Sequence, residues 1–454
     1  MQTQMTYGGH VRAIMTLGLP LIGGHLGQMA IGVTDTVMLG WYAIEALAAV
    51  TLAGTYFFVL FIFGSGFAWA VMPLVASFAA EDDHTGIRRA TRMGLWLSIG
   101  FALVSLPLLL FSEPILRSLG QTEAVAVAAG RYLSVAGWGI LPALLVMVLK
   151  SYLAALERTQ VVLWITLAAA VVNGFANYAL IFGNWGLPEL GVVGAAIASV
   201  TTQLVSLVGV VIYIQLIMPQ HRLFVRFWRA DRQMMSRVFR LGVPIGLTAL
   251  SEVGLFAAST MMMGWLGTVT LAAHGIAVQL ASITFMVHLG LSNVATIRAG
   301  NAYGRRDPDH MARGALTVTV LSVLFAALTI FGFVLWPEPL ISIFMQSGEA
   351  ARDEILSIGI GLLMMAALFQ LVDGAQAVAL GLLRGVQDTA VPMWMAAFAY
   401  WAVGIPCSYL LGFTLGWGGI GVWAGLVLGL GLAAVLLNAR FWGVTVKKVQ
   451  PETA

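Results

Sequence analysis

The sequence predicts an all-α membrane protein: twelve transmembrane helices in two homologous six-helix bundles, related by a pseudo-two-fold axis along the membrane normal. Three observations predict it. Hydrophobic residues make up 60% of the chain and charged residues only 9%, against roughly 25% charged in soluble domains. Twelve apolar segments follow one another, each able to supply the ~20 residues that cross a bilayer. The second half of the chain also repeats the first.

The segments lie at roughly 13–38, 46–79, 93–112, 131–153, 160–182, 191–218, 239–265, 270–302, 314–336, 355–383, 391–413 and 418–441. Lipid offers no partner for an open N–H or C=O, so each must be a helix, and the alternation of a membrane barrel is absent. The polar start, Met1 to Arg12, enters the first segment without a small-residue cleavage site, so that segment reads as a span and not a signal peptide. The 51 glycines suit closely packed membrane helices. A single cysteine, Cys407, excludes an intrachain disulfide and a thiolate metal cluster. No basic run on a soluble surface supports nucleic-acid binding.

Orientation follows from the basic residues. With an even number of spans and a cytoplasmic N-terminus, 20 of the 23 Lys and Arg fall on the cytoplasmic side; Arg117, Arg131 and Arg352 are the other three. Both termini are therefore expected in the cytoplasm.

The repeat is read directly. Leu17-Gly18-Leu19-Pro20 matches Leu241-Gly242-Val243-Pro244 at an offset of 224 residues, and Met38-Leu39-Gly40-Trp41 matches Met262-Met263-Gly264-Trp265 at the same offset. Glu113-Pro114 matches Glu338-Pro339 at 225, and Gly191 with Gly194 matches Gly418 with Gly421 at 227. Because six is even, the halves share one topology, which places a central site between them. The expected lobes are residues 1–218 and 238–454, with 219–237 as a cytoplasmic linker whose arginines orient the spans and which acts as a tether.

A charge at mid-bilayer costs at least ~2.5 kcal/mol, so each one needs a reason. Asp35 in the first span, Glu252 in the seventh and Asp373 in the tenth are the acids set deep in apolar sequence. In the repeat Asp35 pairs with Ser259, and Glu252 pairs with Gln28. Each half thus keeps an acid where the other is neutral, seven residues or ~10 Å apart in register. A desolvated carboxyl can carry a proton, and two carboxylates can hold Na⁺, so these acids are the coupling candidates. The alternative is a neutral acid that hydrogen-bonds a neighbouring helix. Asn173 and Asn177, one turn apart in the fifth span, are either interhelical glue or a polar wall near Asp35. His25, His274 and His288 lack metal-ligand spacing and read as packing histidines. Pro20, Pro142 and Pro244 are candidate kinks. The plentiful Met and aromatic side chains, where they line a cavity, make it adaptable.

These residues resemble the multidrug and toxic compound extrusion (MATE) transporters. Thr34-Asp35-Thr36-Val37-Met38-Leu39-Gly40 resembles that family's first-span signature, Asn173–Gly183 its fifth span, and Leu382–Thr389 the segment after its tenth. The details are similar to the NorM-type bacterial branch. The resemblance implies that Glu252 and Asp373 bind the coupling cation and that Asp35 couples protons or drug. Gln28, Ser259 and Phe369 complete the candidate polar cavity. Phe369 stands where some relatives carry a tyrosine, which leaves Na⁺ and H⁺ both open.

The resemblance implies a secondary-active antiporter in the bacterial inner membrane, not an enzyme. It would export small amphipathic organic cations in exchange for Na⁺ or H⁺, as a monomer in lipid and without a cofactor. The chain lacks G-x-x-x-x-G-K-[ST], so energy comes from an ion gradient. A cation and a drug cannot both neutralise one carboxylate, so loading one releases the other. Two alternatives stand: a lipid-linked-precursor flippase, which would need a basic cavity, and a membrane-embedded aspartyl protease, whose G-x-G-D motif Val372-Asp373-Gly374 does not supply.

Overall fold

The computed structural model describes residues 5–345 and 351–448; Met1–Gln4 of the polar start lie outside them. Twelve helices long and apolar enough to cross a membrane account for most of the chain. They are α1 (Tyr7–Tyr42), α2 (Ala46–Ala80), α3 (His84–Leu110), α4 (Glu123–Ala155), α5 (Thr159–Phe182) and α6 (Gly191–Ile217), then α7 (Arg232–Leu266), α8 (Thr268–Gly304), α9 (Pro308–Leu335), α10 (Arg352–Gly385), α11 (Ala390–Thr414) and α12 (Gly418–Thr445). At 1.5 Å per residue even the 24 residues of α5 exceed the ~30 Å hydrocarbon core. Outward faces carry exposed Val104, Trp164, Leu216, Leu328 and Val435. That is the polarity expected when hydrocarbon is the solvent. The protein is a multi-pass membrane protein.

Packing divides the chain into two compact units, residues 23–246 and residues 1–22 with 247–454. The boundaries fall inside α1 and α7, two residues past Pro20 and Pro244, and not in the 219–237 segment.

In the unit of residues 23–246, glycines bring α2 and the start of α7 into backbone contact. A Cβ on Gly66 would lie 2.3 Å from the Gly242 carbonyl oxygen, and one on Gly246 would lie 2.5 Å from that of Phe63. Leu109, Leu116, Leu133, Ile140 and Leu144 form an apolar core beneath Phe57, Phe61 and Phe101. The segment after α6 is folded onto this unit. Arg92 of α3 donates to the carbonyls of Arg222 (2.8 Å), Leu223 (2.6 Å) and Val225. Trp96 Nε1 donates to Phe227 O at 2.9 Å, and Tyr152 OH meets His221 Nδ1 at 2.5 Å. The expected tether is thus an ordered, clamped strap.

In the other unit α8 and α10 form a small-residue seam. A Cβ on Gly381 would lie 2.3 Å from Ser292 O, and one on Gly374 would lie 2.5 Å from the His288 ring. Ser292 Oγ donates to Ala377 O (2.6 Å) and Thr296 Oγ1 to Gly381 O (2.9 Å). A second seam joins α11 to α12. Gly421, Gly425 and Gly429, each four residues on, face Leu411–Gly412, Ser408 and Gly404 in antiparallel order. A Cβ at Gly425 would lie 2.2 Å from Ser408 N. Residues 398–404 of α11 are π-helical, as are 410–414.

Candidate functional site

Each unit holds its own acid site. In the unit of residues 23–246, α1 and α5 run parallel, because both are odd-numbered spans. Gly23 lies against Leu163, and Gly27 against Thr166, so the helices close up along this edge. Further along the same seam Asp35 meets α5. Asn177 Nδ2 donates to Asp35 Oδ1 at 2.5 Å and also approaches Asn173 Oδ1 at 3.2 Å. Both asparagines are fully buried and Asp35 is half-buried. The asparagines therefore form a polar wall on the acid, one turn apart because (i, i+4) residues share a helix face. Asn177 donates to Asp35 without neutralising the carboxylate.

Beside them lies a cavity of about 230 Å³. Asp35, Gln28, Asn173, Tyr132 and Gln203 supply its polar lining, and Phe57 and Val200 supply apolar walls. Lys150, within the apolar segment 131–153, donates from α4 to Thr166 Oγ1 at 2.8 Å and is a bundle residue.

In the other unit Asp373 is buried on α10, and its Oδ1 has no hydrogen-bond partner among the described residues. Gln370, one turn earlier, donates through Nε2 to Ala281 O at 3.2 Å, while its Oε1 is likewise buried and unpartnered among the described residues. One turn later Gln376 Nε2 donates to Glu252 Oε1 of α7 at 3.2 Å, and Tyr400 OH of α11 donates to Gln376 Oε1 at 2.5 Å. Positions 370, 373 and 376 fall on one face of α10 by spacing alone. Glu252 and Asp373 repel each other, and the Arg384 guanidinium in the last turn of α10 attracts Glu252. One side of the site is thus a Glu–Gln–Tyr chain and the other a bare carboxylate oxygen.

Sequence reasoning singled out Glu252 and Asp373 but missed Gln376, Gln370 and Tyr400. The signal for the glutamines was their 3-residue spacing about Asp373. Tyr400 had none, since it sits in a π-helical turn that breaks the 3.6-residue period. Two candidates stand apart from the acids. Ser259 spends its hydroxyl on Phe256 O of its own helix at 2.8 Å. Phe369 is buried edge-on between Phe256 and Trp423. His274 and His288 hydrogen-bond across helices. His274 Nδ1 accepts from Trp423 Nε1 at 3.1 Å, and His288 Nδ1 meets Ser322 Oγ at 2.8 Å. Among the described residues no three His, Cys, Asp or Glu converge as a metal-ligand group.

Comparison with known proteins agrees with this architecture. The MatE family model matches residues 20–179 and 244–410, one stretch in each half of the chain. A Rhizobium meliloti protein called "Probable multidrug resistance protein NorM" is 45% identical over 443 residues, 97% of this chain and 95% of that one. A protein of the same name from Agrobacterium fabrum is 45% identical over 434 residues, 95% of this chain and 93% of that one. The outward-facing structure of a multidrug resistance MATE family transporter of the MOP superfamily superposes with a TM-score of 0.88 at 19% identity, covering 96% of each chain. At that identity the likeness speaks for the fold alone. With both halves matched and relatives this similar along nearly their full length, the chain belongs to the MatE family of multidrug efflux transporters, in its NorM-type bacterial branch.

Proposed function

We propose that the chain is a secondary-active antiporter that exports amphipathic organic cations in exchange for Na⁺ or H⁺. The observation that carries this is the pair of acid sites, one in each unit. Carboxylates are held inside apolar bundles by amides and hydroxyls, with oxygens left to accept a cation. In the unit with Glu252 and Asp373, the unpartnered Asp373 Oδ1 and Gln370 Oε1 are oxygen donors suited to a coupling cation, which is here a substrate. Glu252 supplies the second charge.

The size of the cavity at Asp35 supports a role in proton exchange. At about 230 Å³ it is below the ~300–1,000 Å³ of a drug-sized pocket. At ~30 Å³ per water it matches about eight waters. That favours proton exchange at Asp35, with water reaching the acid past Gln28 and Tyr132. Both termini are assigned to the cytoplasm, because the basic residues lie on the side that orients the spans.

Apolar and methionine-rich surfaces bind amphipaths by burial, at ~25 cal/mol per Å², with little demand on shape. Large flat monovalent cations are therefore the expected cargo. The test is dye transport in proteoliposomes with pH and Na⁺ gradients imposed separately. Ethidium-like dyes should move against at least one of them. Micromolar uptake of a single amino acid or sugar, with no effect of dyes, would overturn the proposal.

A further inference from the structure

The strap after α6 and the start of α3 line a cavity of about 710 Å³ that shares no lining residue with the acid sites. Arg88, Arg89 and Arg92 line it from α3, and Arg222, Arg226, Arg229 and Arg232 line it from the strap and the start of α7. The one acid in the lining is Asp231. Arg89 pairs with Asp231 and holds its carboxyl below the usual carboxylate range. Arg92 is spent on the strap carbonyls. The guanidinium groups of Arg88, Arg222, Arg226, Arg229 and Arg232 have no ion pair or hydrogen bond among the described residues.

Orienting the spans needs these charges on one side of the membrane, but it does not need them gathered round one hollow. Gathering them opposes Coulomb repulsion. It also puts two of them in the left-handed region, Arg222 at φ 48° and Arg226 at φ 57°, where non-glycine residues are strained. An anion that bridges the guanidinium groups offsets both costs, and planar guanidinium suits phosphate oxygens.

The surroundings say which kind of phosphate. The same strap exposes Val225 and Trp228, and Trp96 stacks on Phe227 beside the cavity. Exposed tryptophans of this kind mark the membrane–water interface. A polar hollow with an aromatic rim fits an amphiphile better than a free ion.

We infer that the strap cavity binds the phosphate head group of an anionic phospholipid. The bound lipid bridges α3 to the strap, with its acyl chains leaving past the aromatic rim. Its assignment to the inner leaflet rests on the orientation proposed above, but binding itself does not.

Native mass spectrometry of the purified protein in mixed micelles of equimolar phosphatidylglycerol and phosphatidylcholine tests this. The unaltered protein should retain phosphatidylglycerol in preference to phosphatidylcholine, and less of it as salt rises. The triple variant Arg222→Gln, Arg226→Gln, Arg229→Gln should lose about tenfold or more of the retained anionic lipid. Its elution on size exclusion should not change, because Arg92 still clamps the strap. Equal retention of the two lipids by the unaltered protein would overturn the inference whether or not the variant folds. So would undiminished retention in a folded variant. Inorganic phosphate that raises the melting temperature as much as phosphatidylglycerol does would assign the cavity to free phosphate and overturn the lipid.

Discussion

Asp35 and Asn177 are nearly isosteric partners, and that makes a clean substitution available. Asp35→Asn keeps an oxygen to accept from Asn177 Nδ2 but removes the charge and the titratable proton. The variant should insert and fold as the unaltered protein does and lose at least about tenfold in dye efflux, within the range of one acid–base group. Wild-type efflux at equal expression would refute the coupling role. Glu252 and Asp373 should behave as one unit, since each feels the other's charge. Glu252→Gln or Asp373→Asn should each impair coupling, and the double variant should cost little more than either alone. Multiplicative losses in the same assay would mean two separate sites. Gln376 makes a different prediction. It accepts from Tyr400 and donates to Glu252, so Gln376→Ala strands a buried hydroxyl and half a carboxylate. Stability should fall by about 1–3 kcal/mol, read as a lower melting temperature in detergent. An unchanged melting temperature would mean that the chain of hydrogen bonds carries no weight.

At the scale of the helix, α12 fixes where Tyr400 sits. Its glycines at 421, 425 and 429 interlock with residues 411–412, 408 and 404 of α11, one turn beyond Tyr400. Gly425→Ala would drive a methyl group into the Ser408 backbone, which cannot rotate away. A loss of ~1–3 kcal/mol is the usual cost of such overpacking, and Tyr400 would shift with the helix. Gly431→Ala, six residues further on, faces only Val372 Cγ1 at 3.5 Å and should be nearly neutral. Comparing the two melting temperatures separates close packing from helix propensity, which would favour both alanines. Helix positions were legible in the sequence because composition leaves lipid-crossing segments no other fold. Glu252 and Asp373 were legible because charge in an apolar run is rare. Gln376 was not, since an uncharged polar residue in a span usually serves packing. The strap cavity was not either. Its arginines could be counted, but their convergence depends on Arg92 reaching three carbonyls more than a hundred positions away.

At the scale of the whole chain, the two packing units do not coincide with the two sequence repeats. Residues 1–22 belong with 247–454, and the stretch up to Gly246 belongs with the first half. A chain cut between positions 226 and 230 should therefore yield fragments that copurify when coexpressed, because each unit draws segments from both. Residues 1–218 expressed alone should be degraded. A monodisperse 1–218 fragment with the melting temperature of the full chain would refute this. The crossing points carry a further consequence for time. Synthesis proceeds from the N-terminus, so the start of α1 emerges first yet has no finished neighbours until α8 exists, since Ile22 lies against Gly290. The first half, likewise, waits for Gly242 and Gly246 to cover Gly66 and Phe63. Neither unit can close before the ribosome has entered the second repeat. The chain thus matures by interleaving, and its earliest helix is the one that must be held longest in an unfinished environment.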